Sequence, residues 1–263
     1  MRNLTILLLL ASAATAQSPS PQLSISGNGS AEVNLMRGWP LVVKVVVLHS
    51  QRFQLAPKPA DLVLQPAAGA WYDAVSFSQN WPLKLAQTPD TSVLVLPSRS
   101  MYEAIWQLSG DGTASLPSGK YSLTAHLELP AGSGWRGAVD SVPITVNIVD
   151  EPADLTADQQ AEKVLLTARF TINQGDFNTA GRMVDALLVD QPSNPRALAL
   201  RAMLFEQAGD AAAAAMSAAA AADVTANAPS APADPAVQRA IQEESLFQNL
   251  RARLWSAYLA TFQ

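Results

Sequence analysis

The period of the hydrophobic residues changes once along the chain, and this change constrains the fold more than any other feature. Up to about Asp150 apolar side chains alternate with polar ones; beyond it they recur at three- and four-residue spacing. A period of two sends successive side chains to opposite faces of a strand, and a period near 3.6 lines one face of a helix. The chain is therefore predicted to be a multidomain all-β plus all-α protein, with the β half first.

The β half covers residues 22–150. "PLVVKVVVLHS" (residues 40–50), "ADLVLQP", "TSVLVLP", "YEAIWQLSG", "GKYSLTAHLEL" and "SVPITVNIV" are short runs rich in Val, Leu, Tyr and Thr, separated by Pro, Gly and Ser clusters. Tyr121, Leu123, Ala125, Leu127 and Leu129 share one face of their run, and Val142, Ile144, Val146 and Ile148 share one face of theirs. One apolar and one polar face marks antiparallel sheet. Asp111-Gly112, inside "SGDGT", reads as a hairpin turn. No helical stretch long enough for a crossover intervenes, so parallel pairing is not expected. About seven strands over this length predict an antiparallel β-sandwich.

Within it, "LPSGKYSLTAHL" (residues 116–127) resembles the Pro-x-Gly-x-Tyr lead-in to a late strand of immunoglobulin-like and fibronectin-III-like domains. The resemblance implies an Ig-like sandwich in which the Tyr121 hydroxyl ties back to nearby backbone. The cysteine pair of antibody domains is missing, since the chain has no cysteine, so only the looser Ig-like class is implied.

The α half begins near Thr156, which with Gln159 and Gln160 suits a helix start. Ala161, Leu165, Ala168 and Ile172 follow helical spacing, as do Phe177, Ala180, Val184, Leu187 and Leu188. "NQGDFNTA" (residues 173–180) and "EQAGDAAAAA" (residues 206–215) share one constant offset, which carries Gly175 to Gly209, Asp176 to Asp210 and Ala180 to Ala214. "QPSNP" (residues 191–195) closes a first unit and a second follows in register. This register is similar to that of the tetratricopeptide repeat, whose period of about 34 residues matches the offset. The family's small residue in the first helix matches Ala168 and Ala202, and its turn glycine matches Gly175 and Gly209. Its small residue in the second helix matches Ala180 and Ala214, and its closing proline matches Pro192. Small side chains let helices approach, glycine permits the tight turn, and proline ends the second helix. The chain departs from the family pattern at Val164 and Leu198, where the family has Trp, and at Thr171, Leu187 and Ala226.

The repeats fall in residues 151–228. A Pro/Ala linker follows at 229–235, then an amphipathic helix over 236–263 with Val237, Ile241, Phe247, Leu250, Leu254 and Tyr258 close to one face. That helix is expected to cap the second unit or pack on the β half. Alternatively its aromatic face, Trp255 and Tyr258 included, binds a partner. The resemblance also implies a groove lined by the first helix of each unit. By that register Leu165, Arg169, Ile172, Asn173, Ala199, Met203, Glu206 and Gln207 face inward, and Arg169, Asn173, Met203 and Glu206 are the partner-binding candidates.

"MRNLTILLLLASAATAQ" has a cation, an apolar run and a small-residue site at Ala14-Thr15-Ala16. This layout predicts a signal peptide over residues 1–16, a short flexible segment over 17–21, and an exported protein, periplasmic or extracellular. The apolar run is far short of the ~20 residues that cross a bilayer, so no integral membrane segment is expected after cleavage. Without disulfides such a chain must hold itself together by burial, which 49% hydrophobic residues allow. Removing Arg2 leaves 16 cations against 22 acidic residues, a net charge of −6, which argues against nucleic acid.

Residues for catalysis are scarce. His49 and His126 are the two histidines, both inside predicted strands and both expected at the surface or a strand edge. There is no Gly-x-Ser-x-Gly elbow, no cysteine or paired histidine for zinc, and no ladder of acids around Asp111 for calcium. The chain is read as a non-enzyme with no metal or cofactor. The leading reading is an exported interaction or scaffold protein whose helical repeats dock a protein or peptide partner. The second is a carbohydrate-binding or adhesion module using Trp71, Tyr72, Trp81, Trp135 and Arg136, with glycine-flanked Trp135 the most exposed.

Overall fold

The computed structural model describes residues 20–49 and 60–227. The predicted leader, the linker, and the C-terminal helix with Trp255 and Tyr258 lie outside the described residues.

Thirteen strands occupy the first part: β1 (Pro21–Gly27), β2 (Glu32–Met36), β3 (Leu41–His49), β4 (Leu62–Pro66), β5 (Val75–Phe77), β6 (Lys84–Leu85), β7 (Leu94–Leu96), β8 (Met101–Leu108), β9 (Gly119–Leu123), β10 (Ala125–Leu129), β11 (Gly132–Gly134), β12 (Gly137–Asp140) and β13 (Ile144–Val149). They form sheets in the orders β1-β3-β8-β6, β2-β13-β9, β12-β10-β5 and β11-β4-β7. Helix α1 (Gly110–Ala114) interrupts them, and α2 (Ala157–Asn173), α3 (Phe177–Asp190), α4 (Pro195–Gln207) and α5 (Ala211–Asn227) follow. The protein is thus mixed, antiparallel-dominated sheet first and helices second.

β3 shows why this sequence makes sheet. Leu41, Val43, Val45 and Val47 point inward and are fully buried, between half-buried Val42, Lys44, Val46 and Leu48. β-Branched side chains pack well on such a pleated surface. β3 is ladder-bonded on both sides, to β1 and to β8. Buried residues of all four sheets merge into a single apolar cluster.

Several expectations require correction. The strands are shorter and more numerous than about seven. The Leu123-to-Leu129 alternation does put Leu123, Ala125, Leu127 and Leu129 inside, yet it belongs to two strands. β9 pairs with β13, whereas β10 pairs with β5 and β12. At the switch, Thr124 N–H donates to Ser78 Oγ (3.0 Å) and Ser78 N–H donates to Thr124 O (3.0 Å), so the backbone stays satisfied while the partner changes. Next, Asp111-Gly112 is not a hairpin turn. Ser109 Oγ accepts the Gly112 N–H and starts the short α1, and Thr113 Oγ1 donates to Trp39 O (2.7 Å), which anchors it. Val142 lies exposed before β13 begins, so the predicted inward face starts at Ile144. Finally, β2 and β13 pair in parallel, from Glu32↔Thr145 to Met36↔Val149. A parallel pair needs a long connection, and here the whole intervening β region supplies it instead of a crossover helix.

The two helix pairs repeat one another bond for bond. Gly175 (φ +84°) and Gly209 (φ +79°) occupy the left-handed conformation that closes each turn. Asp176 N–H donates to Thr171 O as Asp210 N–H does to Phe205 O, and the Asp176 and Asp210 carboxylates accept from Thr179 N–H and Ala213 N–H, capping α3 and α5. Every one of these pairs is separated by the same offset. Ala168, Ala180, Ala202 and Ala214 are all buried. Arg196 of the second unit pairs with Glu162 of the first, and within the first unit Gln191 Nε2 donates to Ala157 O (3.3 Å). Enlarging a buried alanine should overpack this contact. Ala180→Leu is expected to cost about 1–3 kcal/mol in urea unfolding, against little change for exposed Ala215→Leu.

The halves share a bonded joint. Glu151 accepts from Lys163 Nζ (2.8 Å) and from Trp39 Nε1 (3.1 Å), and Leu166 of α2 is buried within the β cluster.

Candidate functional site

Three surfaces hold the sequence-predicted residues or side chains able to do chemistry. On the helical one, Arg169 and Asn173 lie one turn apart on α2 and are partly exposed; Met203 on α4 is partly exposed and Glu206 exposed. The shared register makes Arg169 equivalent to Met203, and Asn173 to Gln207. Leu165 and Ile172 are buried in the helical core, which withdraws both from any groove. The remaining face mixes a cation, an amide, a thioether and a carboxylate.

The second group comprises the aromatics of the β half, which by sequence either fill the sandwich core or form a stacking platform. Trp71 is fully buried, edge-on to Tyr72 (5.8 Å between centroids) and Tyr102 (5.3 Å). Trp81 is buried edge-on to Tyr121 (5.5 Å). Neither can stack a sugar, because the core already covers its faces. Tyr72 and Trp135 are half-buried against the same cluster, leaving only Arg136 fully exposed. The glycines around Trp135 have a packing role as well: a Cβ on Gly134 would lie 2.3 Å from Val63 O, so β11 can approach β4 only without a side chain.

The third is a row across the sheet β12-β10-β5 that the sequence reading missed. The register sets Asp140 and Ser76 opposite His126 on either side. His126 Nδ1 contacts Asp140 Oδ1 at 2.5 Å, and Nε2 lies 3.6 Å from Glu128 Oε2. The hydrogen bond to Asp140 is the main cause that raises the His126 pKa above its ordinary value, with Glu128 adding to it against partial desolvation. The signal that could have found this row is the shared polar face of β10 and β12; what the sequence lacked was the register. A histidine with a raised folded pKa stabilises the fold fully below about 6.5, and that contribution is lost as pH rises through the folded value. In an NMR titration His126 should deprotonate above about 6.5, and Asp140→Asn should bring it back down. His49, by contrast, is a core residue and not a surface one: it is buried, with Nδ1–H donating to Leu96 O (2.9 Å).

Beside Glu128 a groove of about 270 Å³ opens between the β4–β5 connection and the β10–β11 turn, lined by Pro66, Ala67, Asp73, Glu128, Leu129 and Pro130 among others. Among the described residues no helix is long and apolar enough to cross a membrane.

No family model and no curated protein matches the chain. Among solved structures, it is similar to a protein of unknown function from Porphyromonas gingivalis W83, with 20% identity and a TM-score of 0.25. That match covers 51% of this chain and 51% of the other, so the chain spans about half the length of the structure it matches.

Proposed function

We propose that this is an exported, non-catalytic interaction or scaffold protein, in which an Ig-like sandwich carries two tetratricopeptide-like helix pairs that dock a protein or peptide partner on their α2/α4 face. The observation that carries this reading is the duplicated Gly-Asp turn, with the same backbone bonds and caps one repeat apart and alanines buried at each crossing. Repeats of this kind stack to make extended binding surfaces. The Ig-like part is supported by Tyr121 Oη, which donates to Pro117 O (2.7 Å) as the resemblance implies for a tyrosine corner. Burial of Trp71 and Trp81 leaves the carbohydrate reading resting on Trp135 and Arg136.

The test is capture of partners from an envelope extract by the intact chain. Arg169→Glu with Met203→Glu should abolish capture, while Trp135→Ala with Arg136→Ala leaves it unchanged. The reverse pattern, with binding to immobilised glycan, overturns the scaffold reading in favour of the carbohydrate one.

A further inference from the structure

We propose that the groove between the β4–β5 connection and the β10–β11 turn receives a lysine or arginine side chain from a peptide partner. This site lies on the β half and does not depend on the helical reading. Its walls are short and apolar, from Pro66, Ala67, Ala70, Ala74, Leu129 and Pro130, while Asp73 and Glu128 are its charged lining residues. Among the described residues no lysine or arginine lines it. A long aliphatic stem ending in a cation matches such a surface, with the methylenes along the wall and the head on the carboxylates. An anionic ligand is repelled by both acids. At about 270 Å³ the groove is smaller than pockets for drug-sized ligands, so it suits one side chain.

The groove is held in shape before any ligand arrives. Ala67 N–H donates to Ala131 O (3.2 Å), tying its two sides together, and Asp73 Oδ2 accepts the Ala70 N–H (2.8 Å), which orients that carboxylate. Glu128 is tied to the His126 row. The charged groups facing His126 are Asp140 from β12 and Glu128 from its own strand, and β5 contributes the uncharged Ser76. While His126 is protonated it offsets part of the Glu128 charge; once it loses the proton, that charge is available to the groove. Affinity for a cation therefore rises as pH goes from acid to mildly alkaline.

The experiment is an NMR titration of the intact chain with the peptides acetyl-Ala-Lys-Ala-amide and acetyl-Ala-norleucine-Ala-amide, the second keeping the aliphatic stem but lacking the terminal ammonium group. The lysine peptide should shift the amides of Ala67, Ala74, Glu128 and Ala131 with millimolar or tighter affinity, and the norleucine peptide should bind at least about tenfold more weakly. Asp73→Asn with Glu128→Gln should remove a similar factor; the asparagine carbonyl can still accept from Ala70, so the turn persists. Binding should strengthen by about threefold between pH 6 and pH 8 and lose that dependence in His126→Gln. Equal binding of both peptides, or no shift with the lysine peptide, overturns the proposal even if the double variant fails to fold. Shifts of the same amides by a methyl glycoside and not by the lysine peptide overturn it in favour of a sugar.

Discussion

Trp71→Ala is expected to lose about 3–5 kcal/mol of stability, a large share of the roughly 5–15 kcal/mol that holds a typical folded protein together. Trp71 is the largest fully buried side chain of the described residues, and its ring meets Tyr72 and Tyr102 edge-on. Truncation removes those contacts and leaves a void that close-packed neighbours fill only in part. The indole Nε1 has no hydrogen-bond partner among the described residues, so Trp71→Phe gives up no hydrogen bond and should cost clearly less. Urea unfolding monitored by far-UV circular dichroism ranks the two. An alanine variant as stable as the parent would mean that Trp71 faces solvent, and would restore it to the aromatic platform from which its burial removes it.

Leu166→Asp should have a comparable effect through a different route. Leu166 belongs to α2 by sequence but to the β cluster by packing, and half-buried Leu155 packs on the same cluster. Leu166→Ala should cost about 2–5 kcal/mol, and a carboxylate placed at this buried position adds the cost of taking a charge out of water. The parent should melt in one transition, because helix and sheet share this core. Leu166→Asp should split or abolish that transition in calorimetry, whereas a single unchanged melt would show that the halves stand apart. Glu151 reinforces the joint: Lys163, and secondarily Trp39, hold its carboxyl below the usual glutamate range. A depressed carboxyl contributes stability above its unfolded value of about 4.3, and that contribution fades as pH falls through the folded value.

What could be read in advance follows from the range of the interactions. The inward alternation of β3 that starts at Leu41, the Thr156 cap with Gln159, and the Gly175 and Gly209 turns are local, so the letters alone reveal them. The change of partner at Thr124 is invisible in the letters, because the inward face runs on without interruption from Leu123 to Ala125. Asp111-Gly112 misled because the deciding contact, from Thr113 to Trp39 O, joins residues far apart in the chain. The parallel β2–β13 pair and the His126–Asp140 contact depend equally on register between separate strands. Burial of Trp71 and Trp81 was likewise undecidable from sequence, since tryptophans near strand ends serve cores and surfaces alike.

The β2–β13 ladder has a mechanical consequence. A tug on the amino-terminal side draws β2 one way, and a tug through the helices draws β13 the other; because the two strands run in the same direction, their hydrogen bonds are loaded in shear. The rungs from Glu32↔Thr145 to Met36↔Val149 must then yield together instead of unzipping in turn. A tether held at one end and anchored at the other through its helices would load the β1–β3 ladder first and then carry its tension across this seam.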